Sequence, residues 1–184
     1  MFPDEHQKRV NKTFKEIFNS NPGFIINDIV NPPEEFSKGV IKCRFIYDKD
    51  SYSTEFSKYN KRNVRSLKLI YDDTISYDYK FYDRDYIQKS VLQKDNCDEI
   101  IFIKKSFFTD TSFSNLIFWD GREWFTPDTY LLNGTCRKRL LESGEIKEAN
   151  ININNFRNFS GVKLINAMLY PDDTEIISVE NICV

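Results

Sequence analysis

The sequence predicts an α+β chain of two lobes, mixed near its start and rich in strands toward its end. Three observations carry this. Residues 4–18 place Val10, Phe14, Ile17 and Phe18 at helical spacing. Residues around 41–56 alternate apolar and polar at strand spacing. From Glu99 onward, short β-branched and aromatic runs follow one another with little helical signal. The change of character falls near residues 74–80, which predicts an N-terminal lobe over 1–75 and a strand-rich lobe over 76–184.

Taken in order, the first helix ends at Asn21-Pro22-Gly23, where proline and glycine halt the helical pattern. After the Pro32-Pro33 loop, Ile41, Cys43, Phe45 and Tyr47 alternate with polar residues. Tyr52, Thr54 and Phe56 do the same beyond a turn at 48–50, which predicts a β-hairpin. SLKLIY reads as a strand, and residues 84–92 as a helix with Ile87, Val91 and Leu92 inward. EIIFIK, SFFT and SNLIFW are strands, and Asp120-Gly121 turns the chain into a further strand at Trp124. Residues 135–141 form a short helix that Gly144 closes. VKLINAM and a short segment at 175–179 complete the strands.

With 184 residues and 40% hydrophobic content the chain can bury a real core. Acids and bases are interspersed and the net charge is −2, so no basic surface for nucleic acid or an anionic membrane is expected. No apolar run approaches the roughly 20 residues of a membrane span, and residues 1–10 lack the apolar core of a signal peptide. Cys43, Cys97, Cys136 and Cys183 are far apart and form no CxxC pair, which favours a reduced, cytoplasmic protein without a metal site. His6 is the single histidine, so chemistry here would fall to lysine, tyrosine and carboxylates or to a cofactor.

One acid is out of place. Asp110 lies between two threonines in FFTDTSFSNLIFW, although aspartate is depleted in strands. Either it forms a polar turn bonded to nearby amides, or a buried partner needs a negative charge there.

Asp110 is one of five pieces standing in a fixed order: HQKR (6–9), YKFYDR (79–84), TDTSFSNLIF (109–118), LLNGTCRKRLL (131–141) and LINAM (164–168). Together they resemble the class IV aminotransferase family, the fold-type IV enzymes that use pyridoxal 5'-phosphate, and most of all its short aminodeoxychorismate lyase-like branch. The resemblance implies a two-lobed fold of the D-amino acid aminotransferase type. It begins almost at the helix of the H-x-x-R motif, so the strand pair that precedes that helix in the family is expected to be missing.

The resemblance also assigns roles. Lys80 matches the lysine that holds the cofactor aldehyde as a Schiff base and then moves protons, with Arg84 at the family's usual offset. Asp110 stands where the family has a glutamate facing the pyridine nitrogen, in a motif like E-x-S-x-x-N that Ser112 and Asn115 continue. Arg9 matches a phosphate-binding arginine. Thr135 and Cys136 would offer helix N-terminal amides to the phosphate, with Asn166 and Ala167 nearby. Plain capping by Gly134-Thr135, and a polar break closing a buried strand at Asn166, are the structural alternatives. By resemblance the partners are a small amino substrate and a second copy of the chain, in a homodimer. The expected activity is release of pyruvate from 4-amino-4-deoxychorismate to give 4-aminobenzoate, or amino acid transamination. A degenerate homologue acting as a binding module, or an unrelated binding protein using Tyr77, Tyr79 and Tyr82, are the competing expectations.

Overall fold

The computed structural model describes residues 3–184, which divide into two compact units between residues 62 and 63. In the first unit, α1 (Pro3–Ile17) carries Asp4 and Glu5 in its first turn and Lys15 in its last, each favourable to the helix dipole. Its buried face presents Val10 and Phe14, one helical turn apart. A one-turn helix, α2 (Ile26–Ile29), and the hairpin β1 (Ile41–Tyr47) and β2 (Tyr52–Lys58) follow. The hairpin register runs from Ile41 opposite Lys58 to Tyr47 opposite Tyr52. Asp48 closes its turn, Oδ1 accepting the amides of Asp50 and Ser51. The rings of Phe24 and Tyr47 pack against Phe14, both with centroids 5.8 Å from it.

The second unit is built on two sheets. Its strands are β3 (Leu67–Tyr71), β4 (Glu99–Lys104), β5 (Phe107–Thr111), β6 (Asn115–Trp119), β7 (Trp124–Pro127), β8 (Lys147–Ala149), β9 (Gly161–Ile165), β10 (Ile177–Ser178) and β11 (Ile182–Cys183). One sheet has the order β11-β3-β4-β5 and the other β10-β9-β6-β7-β8. β3 and β4 are parallel, with Leu67 opposite Glu99, because α3 (Asp85–Val91) supplies the crossover that parallel neighbours need. β4 and β5 are antiparallel across Lys105 and Ser106, whose φ values of 51° and 69° give the mirror-image turn suited to strand twist.

The main core lies between the sheets. Leu67, Leu69, Ile101, Ile103 and Phe108 meet Leu116, Phe118, Val162 and Leu164. On the other face of β4, Ile100 and Phe102 pack with Ile87 of α3. On the other face of β6, Ile117 packs with Cys136 and Leu140 of α4 (Thr135–Glu142). Burial on both faces explains why EIIFIK and NLIFW read as continuous apolar runs rather than alternating ones.

Some expectations shift. Leu92 was expected inward but is 83% exposed, because α3 stops at Val91 and the chain turns away. β3 pairs with β4 and falls in the second unit, although the sequence reading placed it in the first lobe. β9 stops at Ile165, before the Asn166 turn. β8 and β11 had no sequence signal, since KEA is too polar and IC too short to show a period.

Candidate active site

Asp110 is the next-to-last residue of β5, at the point where the chain leaves one sheet for the other. The turn follows it: Thr111 N donates to Ser114 O (2.9 Å), and Thr111 Oγ1 accepts from Ser114 N (2.9 Å). Asp110 is therefore not the turn residue. Its carboxylate is buried, Oδ1 accepting from Asn115 Nδ2 (2.8 Å) and Oδ2 from the Leu132 amide (2.8 Å). Asn115 Nδ2 also donates to Leu132 O (2.9 Å), so acid, amide side chain and peptide form a closed set. Burial pushes the Asp110 carboxyl up to about 7, against the opposing pull of the Leu132 amide, Asn115 and the Arg137 charge.

Asn115 links this acid to α4. A Cβ on Gly134 would lie 1.9 Å from Asn115 Oδ1, so only glycine fits at the helix N-cap. Thr135 and Cys136 follow as the first two helical residues, both buried. Their amides belong to the first turn, where no carbonyl within the helix can accept them. The Cys136 thiol points elsewhere, donating to Leu169 O (3.8 Å), and burial pushes it up to about 11. Only its backbone can serve an anion.

Asn115 pairs with Ile165 at the end of β9, and this brings the 166–169 turn to the same end of the sheet. The Asn166 side chain closes that turn, Oδ1 accepting from Met168 N (2.8 Å), and also donates to Phe113 O (3.3 Å). These bonds close the end of β9. Ala167 is exposed at the turn's tip.

Lys80 is exposed on the loop joining β3 to α3. Its neighbours Tyr79 and Phe81 pack ring on ring at 5.9 Å, and Tyr77 OH donates to Phe81 O (3.2 Å). At the end of this loop the Arg84 guanidinium donates through Nη2 to Ser112 O, in the turn beside Asp110. Through Asn115, at the start of β6, the structure thus brings together Asp110, the first residues of α4 (Thr135 and Cys136) and the turn bearing Asn166 and Ala167, with the Lys80 loop tied to the Asp110 turn. Arg9 belongs to the first unit, on α1, where its carbonyl accepts from Thr13 Oγ1 (3.1 Å).

Two buried charges escaped the sequence reading. Arg137, 2% exposed, donates to Pro127 O (2.9 Å) and Glu148 Oε1 (2.6 Å) and lies 4.5 Å from the Tyr130 ring centroid. Glu99, 1% exposed, accepts from Ile100 N (2.8 Å) and Ser112 N (3.3 Å). The available signals were an arginine three residues before Leu140 on one helix face, and an acid opening an apolar strand.

This donor set suits a ligand that is cationic at one end and anionic at the other. Both donors bonded to Asp110 are neutral, and each carboxylate oxygen keeps lone-pair capacity for another. Arg84 Nε is buried beside the same turn and finds no acceptor among the described residues. The α4 amides add a positive dipole end. Pyridoxal phosphate, with a protonatable ring nitrogen and a phosphate, meets that description.

Comparison with known proteins agrees. The chain belongs to the class IV aminotransferase family, whose model matches residues 78–182. It is 35% identical over 165 residues to an uncharacterized protein of Haemophilus influenzae, covering 89% of this chain and 88% of the other. A candidate 4-amino-4-deoxychorismate lyase from Haemophilus somnus is 32% identical, with a TM-score of 0.83 over 90% of this chain and 88% of that one. A hypothetical aminotransferase from Mycobacterium tuberculosis shares the fold alone, at 12% identity and a TM-score of 0.73, over 95% of this chain and 74% of that one.

Proposed function

We propose that this class IV family member is a pyridoxal-phosphate-dependent enzyme of the 4-amino-4-deoxychorismate lyase type, releasing pyruvate and leaving 4-aminobenzoate. The observation that carries the reading is Asp110, a buried carboxylate that accepts from neutral donors among the described residues, beside the N-terminus of α4. When bound, the cofactor supplies an electron sink for charge developing at the substrate carbon. Lys80 would hold the cofactor aldehyde and would move a proton at that carbon. Asp110 would pair with the ring nitrogen and favour its protonated form. The amides of Thr135 and Cys136 would hold the cofactor's phosphate, with Asn166 and Ala167 assigned to the same group. Amino acid transamination uses the same residues and is the second reading. Aspartate is one methylene shorter than the glutamate it replaces, and this favours a cofactor-binding homologue with slow turnover as the remaining one.

We assign the working form to a cytoplasmic homodimer, acting on a small amino substrate. Among the described residues no helix is long and apolar enough to cross a membrane, and all four cysteines are unpaired. Light scattering that returns the mass of a single chain at working concentrations would remove the dimer.

Two assays decide the activity. Formation of 4-aminobenzoate from aminodeoxychorismate supports the lyase, and keto acid from D- or branched-chain amino acids supports the transaminase. Silence in both leaves the binding reading. In parallel, protein loaded with pyridoxal phosphate should show a visible absorption band, and Lys80→Ala should abolish it. Turnover in that variant should drop by about 10²–10⁴-fold, the usual worth of a proton-transferring residue. A band that survives the substitution removes Lys80 from its role.

A further inference from the structure

Ser112 is held at both its backbone N–H and its carbonyl by side chains. Its N–H donates to Glu99 Oε1 (3.3 Å), and its carbonyl accepts from Arg84 Nη2. Ser112 lies two residues after Asp110, and Arg84 four residues after Lys80. One guanidinium therefore joins the segment bearing the lysine to the segment bearing the acid.

Both grips stand on firm ground. Arg84 is the N-cap of α3, its carbonyl accepting from Gln88 N (2.9 Å), and α3 is packed through Ile87 on Ile100 and Phe102 of β4. Glu99 begins β4 and is held by the Ile100 amide. Hydrogen bonds to an ionised partner are roughly twice as strong as neutral ones. A turn held by the Arg84 guanidinium and by the buried Glu99 side chain, each rooted in α3 or β4, has little freedom to drift.

We infer that Arg84 and Glu99 are positioning residues that set the span between Lys80 and Asp110. The inference rests on the cofactor reading proposed above for those two groups. Arg84 acts on the lysine side, limiting how far the 72–84 loop can move from the turn. Glu99 acts on the acid side, fixing the peptide from which the Asp110–Asn115 pair is hung. Neither needs to touch the substrate.

The tether is tested first without cofactor. In Arg84→Ala, amide hydrogen exchange of peptides covering 72–84 and 107–116 should accelerate together, on the order of tenfold to a hundredfold for a lost charge-assisted bond. Peptides of β9 should stay unchanged. Arg84→Lys, which still offers a cation to the Ser112 carbonyl, should recover part of the protection, and Glu99→Gln should loosen 107–116 alone. With pyridoxal phosphate, the dissociation constant read from visible absorbance should rise by a similar factor in Arg84→Ala. The pH at which that band titrates should also move, which loss of folding stability alone does not produce. Wild-type exchange and affinity in Arg84→Ala overturn the inference, as does an Arg84→Lys variant no better than alanine. The cofactor reading fails separately, through the Lys80→Ala absorbance, while the exchange measurement still judges the tether.

Discussion

Asp110 and Asp120 lie ten residues apart, and each carboxylate accepts two hydrogen bonds. Asp120 Oδ1 takes the amides of Arg122 and Glu123, both at 2.7 Å, in the exposed turn between β6 and β7. Asp110 takes Asn115 and Leu132 at 2.8 Å each. The amides around Asp120, with that of Glu123 first, hold its carboxyl below the usual carboxylate range, whereas burial pushes Asp110 up to about 7. Two similar bonding sets thus give opposite shifts, and desolvation decides which way. Two neutral donors do not replace the water that a buried carboxylate loses, so a complementary charge is still favoured there. One aspartate closes a turn and the other is poised for a cationic ligand.

The comparison can be broken most forcefully through pH. Folded Asp110 keeps its proton up to about pH 7, while the unfolded chain releases it near 3.8, so the folded state binds the extra proton in between. Its contribution to stability is therefore intact below pH 3.8 and lost as pH rises through 7, on the order of 4 kcal/mol in all. Denaturant unfolding of cofactor-free protein between pH 4 and 8 should show that decline, and Asp110→Asn should flatten it. Saturating pyridoxal phosphate should offset the loss in the wild type but not in Asp110→Asn. An equal slope in wild type and variant would return Asp110 to the class of Asp120.

Gly134→Ala comes next. Its methyl would drive into Asn115 Oδ1, and overpacking of this kind costs about 1–3 kcal/mol. The midpoint of chemical denaturation should fall accordingly, and the Asp110-dependent pH slope should change with it as Asn115 is displaced. A Gly134→Ala protein with unaltered stability and slope would show that the helix start and the acid are not coupled.

The smallest effect belongs to Asp120→Asn. Because its carboxyl is depressed, Asp120 contributes stability above about pH 3.8 that is lost as pH falls through its folded value. Melting temperatures at pH 7 and pH 3 should converge slightly in the variant, opposite in sign to Asp110. A shift in the Asp110 direction would contradict the account of both residues.

Much of the fold's outline was legible in the sequence. Helical spacing of Val10 and Phe14, the alternation from Ile41 to Phe56 and the Asp120-Gly121 turn are local signals, and each became the expected element. The five ordered pieces pointed to Lys80, Asp110, Thr135, Cys136, Asn166, Ala167 and Arg9 as candidates. The motif around Asp110 also contained Asn115, though not the bond between them. Gly134 read as a helix start, yet its steric reason lies in a side chain nineteen positions away.

Residue types and their periods along the chain determined the α+β class, the strand-rich second half and the order of the motif pieces, because those depend on neighbours close in sequence. Only the tertiary structure decided that Asp110 is buried rather than a turn residue. That outcome depends on β5 and β6 lying in different sheets and on Leu132 returning to meet the carboxylate. It alone also joined Arg84 to Ser112 and enclosed Arg137 and Glu99. The physical reason is that desolvation is set by everything packed around a group, and no local stretch of sequence contains that information.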